Sequence, residues 1–202
     1  MVYLPVAAAF PQPLAAPSGQ PPMRLPAPAS AGGWIAGGFP DTPQGAVAQL
    51  AALTSQGLRG GDPEVYQRAY DRLAAPGAPS SASAAITAQL VQMRATAHLA
   101  PTGPVADLAL SFTTTHAQIK GVLDGGRYAV VCVLGELSTT YQDRPISTLG
   151  VGDCQAMRWL ADSTSPTGGG WRISPGAAAA ASPNAWPGSQ DAINAGFREI
   201  AQ

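Results

Sequence analysis

The sequence predicts an α+β fold, with three N-terminal helices packed on a curved four-stranded antiparallel sheet and a short C-terminal helix. Three observations predict it. Apolar residues recur at helical spacing in three runs between about residues 42 and 98, each opened by a capping residue. After Pro101 and Pro104 the period changes from 3.6 to 2 and keeps that value through the following segments. Those segments succeed one another across short turn signals with no helical crossover between them, which reads as an antiparallel meander.

Residues 1–40 form a proline-rich extended leader with the apolar run Tyr3-Leu4-Pro5-Val6 and a single charge, Arg24. Its prolines exclude helix interiors and central strands. Leu4, Val6, Phe10, Leu14, Trp34, Ile35 and Phe39 are more apolar than a linker needs, so parts of the leader are expected to lie across the domain, with Gly32-Gly33-Trp34 near a packed anchor. An α+β domain is expected over 41–175 and an Ala/Pro-rich segment with the closing helix over 176–202.

The first helix starts where Thr42 can accept from an unpaired amide of the first turn and Pro43 loses only an N–H that had no partner there. It runs to about Gln56. Asp62 and Pro63 repeat the logic for a second helix, about 63–74, with Val65, Tyr66, Ala69, Tyr70 and Leu73 on its apolar face. Ser81 or Ser83 caps a third, about 83–98, on Ile86, Leu90, Met93 and Ala97.

Leu108, Leu110, Phe112, Thr114 and His116 fall on one face of a strand over about 106–119. Asp124-Gly125-Gly126 signals a hairpin into a second strand, Arg127 to Thr140, whose centre is apolar on both faces and therefore central in the sheet. Gln142-Asp143-Arg144-Pro145 turns into a third, Ile146 to Leu160, with a bulge expected at Gly150-Val151-Gly152. Thr164 to Gly170 reads as a loop and Trp171 to Ser174 as a short fourth strand. Ser189 or Asp191 then opens a last helix on Ile193, Phe197 and Ile200.

Composition excludes several functions. The 202 residues make one domain of ordinary size with an appendage, and the charged fraction is 11% beside 23 Gly and 20 Pro. Net charge is -1, and the basic residues are scattered, with Lys120 the single lysine, so no footprint for nucleic acid or an anionic membrane exists. No apolar run reaches the roughly 20 residues of a membrane span. Met1 to Phe10 lacks the charged n-region and length of a signal peptide, which taken literally describes a soluble, cytoplasmic chain. A start that follows a removed export or anchor segment would instead place it on the extracytoplasmic face.

Cys132 and Cys154 lie at equal distances in sequence from Asp143, so a tight hairpin centred there sets them opposite one another across neighbouring strands, within reach of a disulfide. The alternative is two buried free thiols. A bridge would imply an oxidising compartment. With His98 and His116, two Cys and no clustered carboxylates, no metal ligand set is present and no cofactor is implied. His116 can act as a base with Asp107, Asp124 or Asp153 to orient it, but a lone histidine at a strand end is more often simply satisfied, so no catalytic residue is assigned. Trp159 and Trp171, on consecutive strands, read as core or cross-strand neighbours. Together with Tyr128 and His116 they would line any pocket.

Three helices before an antiparallel meander is an order that resembles the nuclear transport factor two-like (cystatin-like) cone, including the small periplasmic-type domains of conjugation-channel assembly proteins. Gly38-Phe39, Thr42-Pro43-Gln44-Gly45-Ala46-Val47, Trp171-Arg172-Ile173 and Ala195-Gly196-Phe197-Arg198-Glu199-Ile200 are similar to segments of uncharacterised proteins of actinobacterial plasmids and integrative elements. The resemblance implies a cone over 41–175. It also implies a non-enzymatic accessory or scaffold domain of a cell-envelope or DNA-transfer (conjugation-like) apparatus, whose partners are other proteins, membrane-anchored assembly components or copies of itself. Two alternatives stand beside it: an isomerase- or cyclase-like enzyme or binder using the cone interior, and a structural subunit of a particle or coat.

Overall fold

The computed structural model describes residues 4–16, 19–164 and 168–201. Tyr3, which opens the leader's apolar run, and residues 165–167 of the loop after Thr164 lie outside them. Among the described residues the elements are α1 (Pro43–Gly57), α2 (Pro63–Leu73), α3 (Ala85–Thr96), β1 (Leu108–Leu123), β2 (Tyr128–Tyr141), β3 (Arg144–Ala161), β4 (Gly169–Ile173), α4 (Gln190–Asn194) and β5 (Arg198–Glu199). The sheet is antiparallel throughout, in the order β4-β3-β2-β1-β5. It therefore has five strands, one more than expected.

The first two helices begin as their sequences dictate. The Thr42 hydroxyl accepts from the Gly45 N–H at 3.1 Å and Pro43 opens α1. Asp62 accepts from the Glu64 N–H at 2.9 Å with its first oxygen and from the Gly103 N–H at 3.0 Å with its second, so one carboxylate caps α2 and ties down the later loop. The third start differs. Neither Ser81 nor Ser83 caps α3: Ser80 caps a short 3-10 turn over Ser81–Ser83, and Ala84 precedes α3 with no side-chain bond.

The sheet departs from the expected register along β1 and β3, each time with a local cause. In β1, Thr114 pairs with Gly135 but His116 with Leu134, so Thr115 is an extra residue and the side chains from His116 to Ile119 change face, until a second extra residue, Lys120, between the Ile119–Val131 and Gly121–Val130 pairs restores the alternation. Leu110 and Phe112 point to the helices as expected, but beyond the bulge Ala117 and Ile119 take over that side and His116 turns away. In β3 no bulge occurs at Gly150 to Gly152, where pairing with β2 is uninterrupted. Those glycines serve close approach instead: a Cβ at Gly150 would run into the Ala185 carbonyl, and one at Gly152 into the Ser182 hydroxyl. The irregularity of this hairpin lies at Ile146, between the Thr139–Ser147 and Thr140–Pro145 pairs.

The closing segment is also rearranged. Ser189 caps α4 through the Ala192 N–H at 3.2 Å, but the helix ends at Asn194 and Gly196, at φ 92°, turns the chain into β5 beside His116 and Ala117. Phe197 and Ile200 thus belong to a strand region, not to a helix.

Two apolar clusters fill the two sides of the sheet. On the helix side, α1 lies across β1, β2 and β3, α2 packs on α1, and α3 packs on α2. The core here includes Leu50, Leu53, Tyr66, Phe112, Val133 and Trp171. The outer side is covered by the leader and the C-terminal arm. Cys132, Leu134 and Cys154 are buried there under Ala185, Ala192 and Phe197, with Leu4 beside them. Leader and arm hold one another by backbone bonds: Trp186 N–H to Ala8 O at 2.6 Å, Ala15 N–H to Gly188 O at 2.8 Å and Met23 N–H to Glu199 O at 2.7 Å. The buried anchor near residue 34 is Phe39, while Trp34 itself is 44% exposed.

Candidate functional site

Asp153 sits at an inward position of β3, directly beneath α1 and α2, and is 3% exposed. A carboxylate removed from water needs donors, and the helices supply them. Tyr66 Oη donates to its Oδ2 at 2.7 Å and Thr54 Oγ1 to the same oxygen at 3.1 Å, while Gln155 Nε2 donates to Oδ1 at 3.0 Å. Burial raises the Asp153 pKa above the usual carboxylate range, and these hydrogen bonds oppose the rise. Burial and the facing carboxylate push the Tyr66 hydroxyl well above its ordinary value, and burial, followed by Asp153 and Asp71, pushes Tyr70 up to about 12. The cluster is buried and closed. Its chemistry is that of a positioning device, which sets two helices on one strand, and sequence reasoning named Asp153 only as a partner for His116.

The helix side is not closed everywhere. Between α3 and the β2–β3 hairpin lies an apolar groove of about 850 Å³. Ile86, Leu90 and Met93 form the α3 wall, Leu137, Leu149 and Val151 the sheet wall, and Val6 of the leader stands at the rim. Its polar lining is neutral: Gln89, Gln92, Thr96 and Asn184. Asn184 braces the rim by accepting from the Gly152 N–H at 3.1 Å and donating to Gln89 Oε1 at 3.4 Å. Arg94, which is 1% exposed, ties α3 to the turn before α2 and to the loop that follows α3 by donating to the carbonyls of Ala100, Gly61 and Gly103 at 2.6, 3.1 and 2.8 Å. The residues read from periodicity as the apolar face of the third helix are those that line this groove.

The four pocket residues expected from sequence do not share a pocket. Trp159 and Trp171 face each other across β3 and β4, buried and edge-on with centroids 5.8 Å apart, and the Trp171 indole donates to Pro40 O at 2.8 Å. They are core, as their pairing predicts. Tyr128 lies on the outer side beneath the Arg158 guanidinium, 5.7 Å from its ring centre. His116 also faces outward, half-buried, with Nδ1 3.0 Å from the Thr115 hydroxyl. Burial lowers its pKa and the neighbouring Glu199 opposes that shift. Asp153 is on the other side of the sheet, and Asp107 and Asp124 occupy left-handed turn positions, so none of the three orients the imidazole.

Cys132 and Cys154 are bonded as a disulfide with Cα atoms 4.0 Å apart, buried at the centre of the outer side. The bridge joins β2 to β3, and Lys120 Nζ lies 3.5 Å from Cys154 Sγ. Among the described residues no group of three or more His, Cys, Asp or Glu side chains is placed to hold a metal ion. Nor is any helix among them long and apolar enough to cross a membrane.

The chain is thus an α+β protein in which a disulfide-bridged antiparallel sheet carries a helical layer with one apolar opening. No model of a known protein family, no curated protein and no solved structure matches it.

Proposed function

We propose that this protein is a non-enzymatic accessory or scaffold module of a cell-envelope apparatus of the DNA-transfer kind, binding another protein through the groove between α3 and the sheet. The groove carries the reading. Interfaces are distinguished by concave apolar centres from which charge is depleted, and this lining holds no charged side chain. The disulfide supports a working place on the oxidising side of the membrane.

The test is site-specific photo-crosslinking in cells, with the reactive residue placed at Val91 or Gln92 of α3 and, for comparison, at exposed Leu123 on the far hairpin. Adducts to an envelope-assembly protein from the α3 positions alone are expected. Adducts absent, or equal from Leu123, would overturn the reading. Thiol labelling of intact cells before reduction checks the compartment: free Cys132 and Cys154 would remove the extracytoplasmic part.

A second reading, a small-molecule binder, is favoured by the groove volume, which lies within the range of ligand pockets. Native mass spectrometry separates the two, since a co-purifying compound lost on Leu90→Asp substitution selects the second.

A further inference from the structure

Where α1 ends and α2 begins, a shallower cleft of about 460 Å³ is lined by Trp34 of the leader, Gln56, Arg59, Val65 and Arg68. Its lining differs in kind from that of the groove. Two guanidinium groups and an exposed indole share one concave surface. Three other arginines are engaged within the fold: Arg94 by three carbonyls, Arg127 by Asp41 at 3.0 Å and Arg158 by the ring of Tyr128. The Arg127–Asp41 pair is the only ion pair among the described residues, so neither Arg59 nor Arg68 is neutralised by a carboxylate, and Glu64, one turn before Arg68, forms no pair with it.

We propose that this cleft binds an acidic peptide segment of a partner protein. A guanidinium fork matches a carboxylate in plane and by two parallel hydrogen bonds, and two forks on one surface select a segment with two acidic residues. The indole offers an apolar platform for the aliphatic or aromatic part of such a segment, and Val65 extends it. Gln56 supplies a neutral amide for peptide backbone. A nucleic acid fits less well, because a net charge of -1 and scattered basic residues provide no continuous track for phosphates. The site lies apart from the apolar groove and does not depend on it.

The experiment is fluorescence anisotropy of a labelled Glu-rich hexapeptide containing one Tyr against the full chain with its disulfide intact, at about 0.02 and about 0.2 M salt. The same peptide with Gln in place of Glu serves as comparison, beside an oligonucleotide and anionic vesicles. Expected are binding of the Glu peptide at least about tenfold tighter than of the Gln peptide, weakening at the higher salt, and loss of that preference in the double variant Arg59→Ala, Arg68→Ala. Trp34→Phe should abolish the accompanying change in indole fluorescence. Arg144→Ala, an exposed position outside both the cleft and the groove, should leave peptide affinity unchanged, which separates the two guanidinium groups of the cleft from a general loss of positive charge. All four substituted residues are exposed, and an unaltered thermal midpoint shows that each variant folds. Equal affinity for the two peptides, retention of binding in the double variant, or a clear preference for oligonucleotide or vesicle overturns the proposal.

Discussion

The two sides of the sheet reach burial by different means. The helix side is covered by periodic elements whose aromatic and aliphatic side chains interlock, and its most deeply buried carboxylate, Asp153, is satisfied by Tyr66, Thr54 and Gln155. The outer side is covered by proline- and alanine-rich chain that has little apolar area to offer. There the backbone itself comes close, over Gly150 and Gly152, and a covalent bridge lies beneath. Where cover is built of helices, hydrogen bonds and packing suffice. Where it is built of irregular chain, contact depends on missing side chains and on a cross-link that restricts the unfolded state.

That contrast can be broken in graded steps. Asp153→Ala removes the acceptor that Tyr66, Thr54 and Gln155 share and should cost about 4 kcal/mol of global stability by denaturant titration, the largest effect, because it unseats α1 and α2 together. Replacing both cysteines by Ala removes a cross-link spanning 22 residues and should cost about 3 kcal/mol. Wild-type protein in reducing agent should then unfold at the denaturant concentration of that variant. Gly150→Ala forces the arm away from β3 and should cost about 2 kcal/mol, chiefly on the outer side. Hydrogen exchange at the Trp186 amide, which donates to Ala8, should quicken while amides of α1 stay protected. Thr42→Ala removes a cap on the helix side and should cost only about 1 kcal/mol.

Acidity sharpens the comparison further. The folded Asp153 carboxyl titrates above its unfolded value of 3.8 because burial disfavours its charge. The folded state therefore holds the proton more tightly. Its contribution is fully present below pH 3.8, is lost as pH rises through the folded value, and is level above it. Asp153→Asn should flatten that part of the stability profile, measured as thermal midpoint against pH.

Much of the fold is legible locally. Thr42-Pro43 and Asp62-Pro63 start helices because a cap bond and a missing N–H act within one turn. The both-face apolar run of β2 marks its central place, since only a strand covered on two sides excludes polar residues from both. The disulfide is one of the two readings that the sequence left open for its cysteines, and the structure reaches it by a route that differs from the counting. The turn is the two residues Gln142 and Asp143, both left-handed, with Tyr141 opposite Arg144. Equal counting from that pair would set Cys132 against Asp153, and the extra residue at Ile146 moves Cys154 into place.

Other features carry no comparable local signal. One inserted residue at Thr115 sends His116 to the outer side, and a bulge there depends on how β1 accommodates both β2 and β5. The two-residue β5 is too short to show a period, and its strand character comes from β1 beside it. The groove needs α3 to rest on α2 rather than on the sheet, which no residue of α3 specifies alone.

The sequence by itself therefore determined where the first two helices begin and which strand lies at the centre, and it set Cys132 and Cys154 on neighbouring strands, because caps, turns and periodicity act over a few residues. The tertiary structure alone decided which side of the sheet His116 and Asp153 face, that the leader and arm share the outer side, and that the helix layer opens at α3. These depend on single-residue register shifts and on packing between segments far apart in the chain, whose free energies are settled only when all the neighbours are in place.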